Sequence, residues 1–194
     1  MTGNDAVLRM IAALEAGGVP YMLVGSYSSN AYGVARATQD ADFVVQLPAD
    51  AVVRLRTELG AEFRFDPQMS FETVTATTRH IVHVVGSHFK IELFLLRDDA
   101  YARERFARRR EENYLGRRVF LPTPEDVVVT KLRWSRQGKR PKDLDDARNV
   151  IAVQGNRLDW DYMHRWCEVH GTRGLLDELR RSIPPELWNV PPEE

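Results

Sequence analysis

The sequence predicts an α/β chain with a helical C-terminal region. Three observations carry that expectation. Leu23 to Val45 reads as strand, tight turn, short helix, loop and strand. Phe89 to Leu96 is a near-continuous apolar run, the pattern of a strand buried on both faces. Beyond Pro122-Thr123-Pro124 the chain reads as entirely helical. The expected division is a core over 1–122 and a helical appendage over 123–194.

In chain order, Asn4 or Asp5 caps a first helix whose apolar face is Val7, Leu8, Ile11, Ala12 and Leu14, with Gly17-Gly18 ending it. Val19 to Val24 is the first strand. Tyr27 to Tyr32 gives about two helical turns, and Gly33 is placed to end them. The second strand follows Asp40-Ala41-Asp42 and breaks at Pro48. Ala49 to Leu59 is helical, with Val52, Val53, Leu55 and Leu59 inward. Glu62 to Phe65 is a short edge strand, and Thr73 to Thr78 an edge strand or loop. His80–Val85 and Lys90–Leu96 form a hairpin across Gly86-Ser87. His80 and His83, three apart on a strand, face opposite sides and share no metal. Asp98 to Asn113 is read as one helix, and Arg118 to Leu121 as a short strand. Helices over Asp159–His170 and Thr172–Ile183 put Trp160, Trp166 and Leu176 in the core. The tail carrying Pro184-Pro185 and Pro191-Pro192 is expected to be extended.

The chain has 194 residues and a net charge of −1, so nothing global demands nucleic acid or a membrane. The single cysteine, Cys167, makes an internal disulfide impossible and fits a reducing, cytoplasmic compartment. No apolar run approaches the roughly 20 residues that span a bilayer, and an N-terminal signal segment is not expected.

The chemistry sits on three acids. Residues two apart on a strand share a face, so Asp40 and Asp42 point one way while Ala41 and Phe43 point the other. Asp is disfavoured in strands. Two carboxylates roughly 4 Å apart repel by about 4 kcal/mol at an effective dielectric near 20. They share a proton, meet arginines or hold a cation, and Mg²⁺ takes one or two carboxylates plus substrate phosphates. Upstream, Gly25 allows close backbone approach, Ser26 offers a hydroxyl, and the following helix presents free N–H groups. The third acid, Glu92, lies mid-run in an apolar strand. It either pairs with Lys90 on its own strand face or joins Asp40 and Asp42 from a neighbouring strand.

Val24-Gly25-Ser26, a 13-residue spacer, then Asp40-Ala41-Asp42-Phe43 and a later acid resemble the nucleotidyltransferase fold of the DNA polymerase β superfamily. Ala35-Arg36-Ala37-Thr38, and Pro124-Glu125-Asp126 through Lys131 to Lys142-Asp143-Leu144-Asp145-Asp146, are similar to its AbiEii-like branch of toxin–antitoxin and phage-defence proteins. The resemblance covers roughly 21–151. Glu92 departs from it, since Asp is commoner there. The resemblance implies a mixed-sheet core and a cytoplasmic enzyme that moves a nucleoside monophosphate from an NTP, such as ATP, to an acceptor hydroxyl. It implies Mg²⁺, one ion or two, on Asp40, Asp42 and Glu92. It further implies nucleotide binding by Gly25, Ser26, Arg36, Thr38 and Lys131, with Asp143 supporting Lys131. The acceptor would be RNA, tRNA included, or protein, and an antitoxin would be a possible partner.

Other readings stand beside these. Lys131 shares a helical stripe with Val127, Val128 and Leu132, so it either snorkels outward or reaches triphosphate oxygens. Asp143 near a helix start, behind Pro141, is also a plain dipole partner. Arg103, Arg105, Arg108, Arg109 and Arg110 are either a solvated face or a guide for a polyanion such as tRNA. The same chemistry with an aminoglycoside-like acceptor would need an acidic wall, for which Asp98, Asp99, Asp145 and Asp146 are candidates. A non-catalytic nucleotide- or partner-binding module is the remaining class.

Overall fold

The computed structural model describes residues 1–48, 50–73 and 76–184. Pro185 and the Pro191-Pro192 pair lie outside them. The described chain forms two compact units. One comprises Met1–Tyr27 and Ala37–Pro122, and the other Ser28–Arg36 and the chain from Thr123 onward.

The first unit opens with α1 (Gly3–Ala16), capped by Thr2 rather than Asn4 or Asp5. The Thr2 hydroxyl accepts from the Asp5 amide, and the Asp5 carboxylate accepts from the Thr2 amide at 2.8 Å. Asp5 is thus the third helical residue of a capping box. The following elements are β1 (Tyr21–Val24), α2 (Gly25–Tyr32), β2 (Asp40–Val45) and α3 (Ala51–Leu59). The strands β3 (Phe63–Phe65), β4 (Ser70–Glu72), β5 (Thr77–Val84) and β6 (Lys90–Leu95) come next. Ala51, Leu55 and Leu59 form the buried stripe of α3. Val53, expected inward, is exposed because it falls off that three-to-four spacing.

The sheet order is β1-β2-β6-β5-β3, with β4 also on β5. Among the described strands of this sheet only β2 and β6 run parallel, so the sheet is mixed. One sheet face carries Leu23, Phe43, Val45, Ile91, Leu93, Val82 and Val84, all buried. The opposite face divides in two. At one end Met22, Val24, Val44 and Phe94 pack with Phe106. At the other end stand Asp40, Asp42, Ile81, His83 and Lys90, all partly exposed, around a buried Glu92.

Asp98–Asn113 is not one helix. It forms α4 (Ala100–Ala107) and then β7 (Arg110–Tyr114), which pairs with β8 (Arg117–Leu121). Leu115 and Gly116 both have positive φ, the geometry of a two-residue primed turn. That turn and the pairing with β8 override the helical charge pattern. The arginines are drawn into packing. Arg109 lies over the rings of Phe106 and Phe120 and donates to the Phe106 carbonyl at 2.6 Å. Burial pushes its pKa down. Arg103 pairs with Asp98, and Arg118 with Glu111.

The second unit holds α5 (Pro124–Gly138), α6 (Pro141–Gln154), α7 (Trp160–Val169) and α8 (Arg173–Ser182). Thr123 caps α5 and Asp159 caps α7 through their side chains. The start of α5 is buried, and its acids are satisfied there. Asp126 accepts from the Tyr162 hydroxyl at 2.6 Å, and Glu125 from the Asp159 amide at 3.1 Å.

Candidate functional site

β1 ends at Val24, which pairs with Asp42, and α2 begins on the next residue. The chain therefore changes from strand to helix directly beside an acid. Gly25 is what permits this. Its φ is +64°, and a Cβ there would lie 2.1 Å from Asp42 Oδ2. Any side chain at 25 collides with the carboxylate and strains the backbone as well. A helix start presents backbone N–H groups that no carbonyl of its own helix takes, and this one begins directly beside the Asp42 carboxylate.

Asp40 and Asp42 are partly exposed on one face of β2, and Ala41 and Phe43 are buried on the other. Thr38 fixes Asp40, donating its hydroxyl to Oδ1 at 2.8 Å. Tyr27, near the start of α2, donates to Asn4 Oδ1 at 3.1 Å. Burial first, then Tyr114 and the negative charge of Asp40, push its pKa to about 12.

Glu92 pairs with Asp42 in the parallel ladder, so the two side chains share a face. It is 3% exposed, and both of its oxygens are taken. Arg79 Nη1 donates to Oε2 at 2.5 Å, and Lys90 Nζ to Oε1 at 2.5 Å. The salt bridge with Lys90 is therefore formed, and a second cation has joined it. Among the described residues no group of three or more His, Cys, Asp and Glu side chains is gathered to hold a metal ion. What the face offers a cation is the Asp40–Asp42 pair beside the Gly25–Ser26 turn. Two carboxylates suit an ion such as Mg²⁺, which completes its shell with phosphate oxygens and water.

Lys131, in the helical unit, does not snorkel. It is 3% exposed and donates to Asp143 Oδ1 at 2.9 Å and Asp146 Oδ2 at 2.7 Å. Arg36 grips Asp146 with a fork, Nε to Oδ1 at 2.8 Å and Nη2 to Oδ2 at 2.9 Å. Burial works against the Asp146 carboxylate, but the Arg36 and Lys131 contacts outweigh it and hold its pKa at about 2. Asp143, expected from the resemblance as a support for Lys131, is one of the two carboxylates that accept from it. The larger role of Asp146 was legible only as one acid in a run.

Arg79 has no place among the sequence-derived candidates. Its signal lay in strand parity alone, because Arg79 pairs with Phe94, and Phe94 shares a face with Glu92. His80 and His83 lie on opposite faces of β5, and His83 is paired with Asp66 at 2.9 Å.

Neither a protein-family model nor a curated protein matches the sequence. Solved structures do match the fold. ANT(2'')-Ia, an antibiotic-resistance factor, is similar in its solution structure with a TM-score of 0.60 at 12% identity, covering 92% of this chain and 96% of that one. In its crystal structure with adenylyl-2''-tobramycin the TM-score is 0.61 at 13% identity, covering 90% and 99%. An antigenic nucleotidyltransferase-like protein of Paracoccidioides brasiliensis matches with a TM-score of 0.51 at 17% identity, covering 91% and 92%. The chain has the nucleotidyltransferase fold. At these identities the likeness establishes the fold alone. No helix among the described residues is long and apolar enough to cross a membrane.

Proposed function

We propose that this chain is an Mg²⁺-dependent nucleotidyltransferase that moves a nucleoside monophosphate from an NTP to an acceptor hydroxyl and releases pyrophosphate. One observation carries the reading. The α2 turn is built around Asp42 so tightly that only glycine fits at 25. A carboxylate packed against helix-start amides has no structural need for a neighbouring acid at 40. Together they suit a phosphate chain neutralised by a cation.

Asp40 and Asp42 would hold Mg²⁺, whose bound charge would stabilise the charge developing on the phosphates. Thr38 keeps the Asp40 carboxylate in one orientation. The Gly25 and Ser26 amides and the Ser26 hydroxyl take the outer phosphates. Glu92 already accepts from two cations, so it acts by holding them. A second ion would draw its ligands mainly from the substrate. A nucleotide-binding role for Arg36 and Lys131 rests on the sequence resemblance; within their own unit they hold Asp146, and Lys131 also Asp143.

The toxin–antitoxin or phage-defence setting, an RNA or protein acceptor, and an antitoxin partner rest on the sequence resemblance. An aminoglycoside acceptor is the second reading, favoured by the likeness to ANT(2'')-Ia. The acids it would use are largely committed elsewhere. Asp98 pairs with Arg103, Asp99 caps α4 and pairs with Arg97, and Asp146 is held by Arg36 and Lys131.

The test is Asp42→Asn, which keeps size and removes one charge. Nucleotidyl transfer should fall by orders of magnitude, and the rise in melting temperature given by Mg-NTP should shrink. The metal-free variant should be as stable as the parent or more so, because repulsion with Asp40 is relieved. A variant that keeps full transfer and the full melting shift would end the metal-site reading.

A further inference from the structure

We propose that Arg79 is the anion-recognition residue for the acceptor, held by Glu92, and that the acceptor carries a phosphate close to its reacting hydroxyl. This deepens the transferase reading above and rests on it.

Arg79 is fixed at three points. Nη1 donates to Glu92 Oε2 at 2.5 Å, Nε to Ser70 Oγ at 3.3 Å, and the guanidinium lies over the Phe94 ring, 5.5 Å from its centre. A guanidinium has five N–H donors in a rigid plane. These contacts use two, which leaves three, including both on Nη2. The side chain is 23% exposed, so they are within reach of a ligand. A flexible surface arginine loses side-chain entropy on binding an anion, whereas this one is already ordered. Fixed donors with unused capacity match the forked geometry of a phosphate.

Position selects which phosphate. Across this sheet face the order is Gly25 at the end of β1, Asp42 on β2, Glu92 on β6 and Arg79 on β5. Adjacent strands are about 4.8 Å apart and Arg79 is level with Val44, so its Cα lies roughly 12 Å from that of Asp42 and roughly 16 Å from that of Asp40, on the side away from the phosphate turn. A triphosphate held at Gly25–Ser26 places its reacting phosphorus at the acids and leaves the β5 side to the acceptor. Lys90, 39% exposed, meets Glu92 from the other side, level with Asp40. Of the other acids on this face, Glu72 stands two residues from Ser70 beside Arg79, Asp66 is occupied by His83, and Glu92 by the two cations themselves. A polycationic aminoglycoside would meet Arg79 and Lys90 at like charge.

The experiment uses the full chain with Arg79→Gln, Arg79→Lys and Ser70→Ala. Three probes are titrated: a fluorescein-labelled RNA tetranucleotide, ribose 5-phosphate and tobramycin. Each Mg-NTP is titrated separately. Arg79→Gln should weaken the anionic probes at least tenfold and leave Mg-NTP affinity within twofold. Arg79→Lys should recover part of the loss, and Ser70→Ala should cost a few-fold. In transfer assays Arg79→Gln should raise acceptor KM more than it lowers kcat. Weakening of the RNA alone would identify a strand phosphate, and weakening of both a phosphate monoester. Unchanged anion affinity in Arg79→Gln, tighter binding of tobramycin than of either anion by the parent, or a rise only in NTP KM would each overturn the proposal. If Arg79→Gln fails to fold, Arg79→Lys and Ser70→Ala binding anions as the parent does would overturn it equally. A parent that binds RNA through Arg79 but no Mg-NTP would defeat the transferase reading and leave the anion site standing.

Discussion

Gly25 and Asp42 occupy the same space as nearly as two residues can. At φ +64° an alanine is strained, and its Cβ would press on Asp42 Oδ2. Gly25→Ala should therefore destabilise the fold by about 1–3 kcal/mol. Part of that cost comes from the collision and part from φ. Asp42→Ala combined with Gly25→Ala removes only the collision. In a double-mutant cycle read by chemical denaturation, the pair should lose less stability than the sum of the single variants. Strict additivity would show that the carboxylate is free to move aside.

At the scale of elements, the arginines of α4 and β7 show how charge pattern misleads. A helix over Asp98–Asn113 would have displayed them as a basic stripe, but the chain turns into a hairpin after Ala107. Arg109 is then clamped between two rings by its own segment and by β8. Arg109→Ala should lower stability by roughly 1–2 kcal/mol, through lost packing and cation–π contact. Its RNA affinity should match that of the parent across a salt series. A fall in RNA affinity with a shallower salt slope and an unchanged melting temperature would return Arg109 to a nucleic-acid role.

For the whole molecule, the buried charge cluster of the helical unit sets the acid limb of stability. The Asp146 carboxyl titrates near 3.9 in an unfolded chain and at about 2 when folded. A depressed folded value means that its stabilisation is complete above the unfolded value and is lost as pH falls from about 4 to about 2. The contribution is of order 2 kcal/mol. Asp146→Asn should flatten the stability profile over that window while lowering stability at neutral pH. Removing the cation instead, in Lys131→Met, leaves Asp143 and Asp146 buried together with one partner fewer. The expected cost is about 3–5 kcal/mol at pH 7, measured by denaturant unfolding. That loss should diminish as the medium is acidified toward pH 2, because protonating the carboxylates removes the unpaired charge.

Local pattern determined much of this protein. The strand–turn–helix–strand run and the shared face of Asp40 and Asp42 follow from period-two alternation and turn chemistry. Both act over a few residues. The helical region beyond Pro122 followed from periodicity in the same way. Strand partners and register are different, because they are set by contacts between distant segments. Parity places Glu92 on one of two faces, but only the β2–β6 register sets it beside Asp42, and only the β5–β6 register brings Arg79 to it. Lys131 was legible as an inward lysine. That two aspartates would hold it, and that Arg36, 110 residues away from Asp146, would complete the cluster, was decided by tertiary structure. A buried charge takes whichever opposite charge the fold delivers, and sequence spacing does not record that delivery.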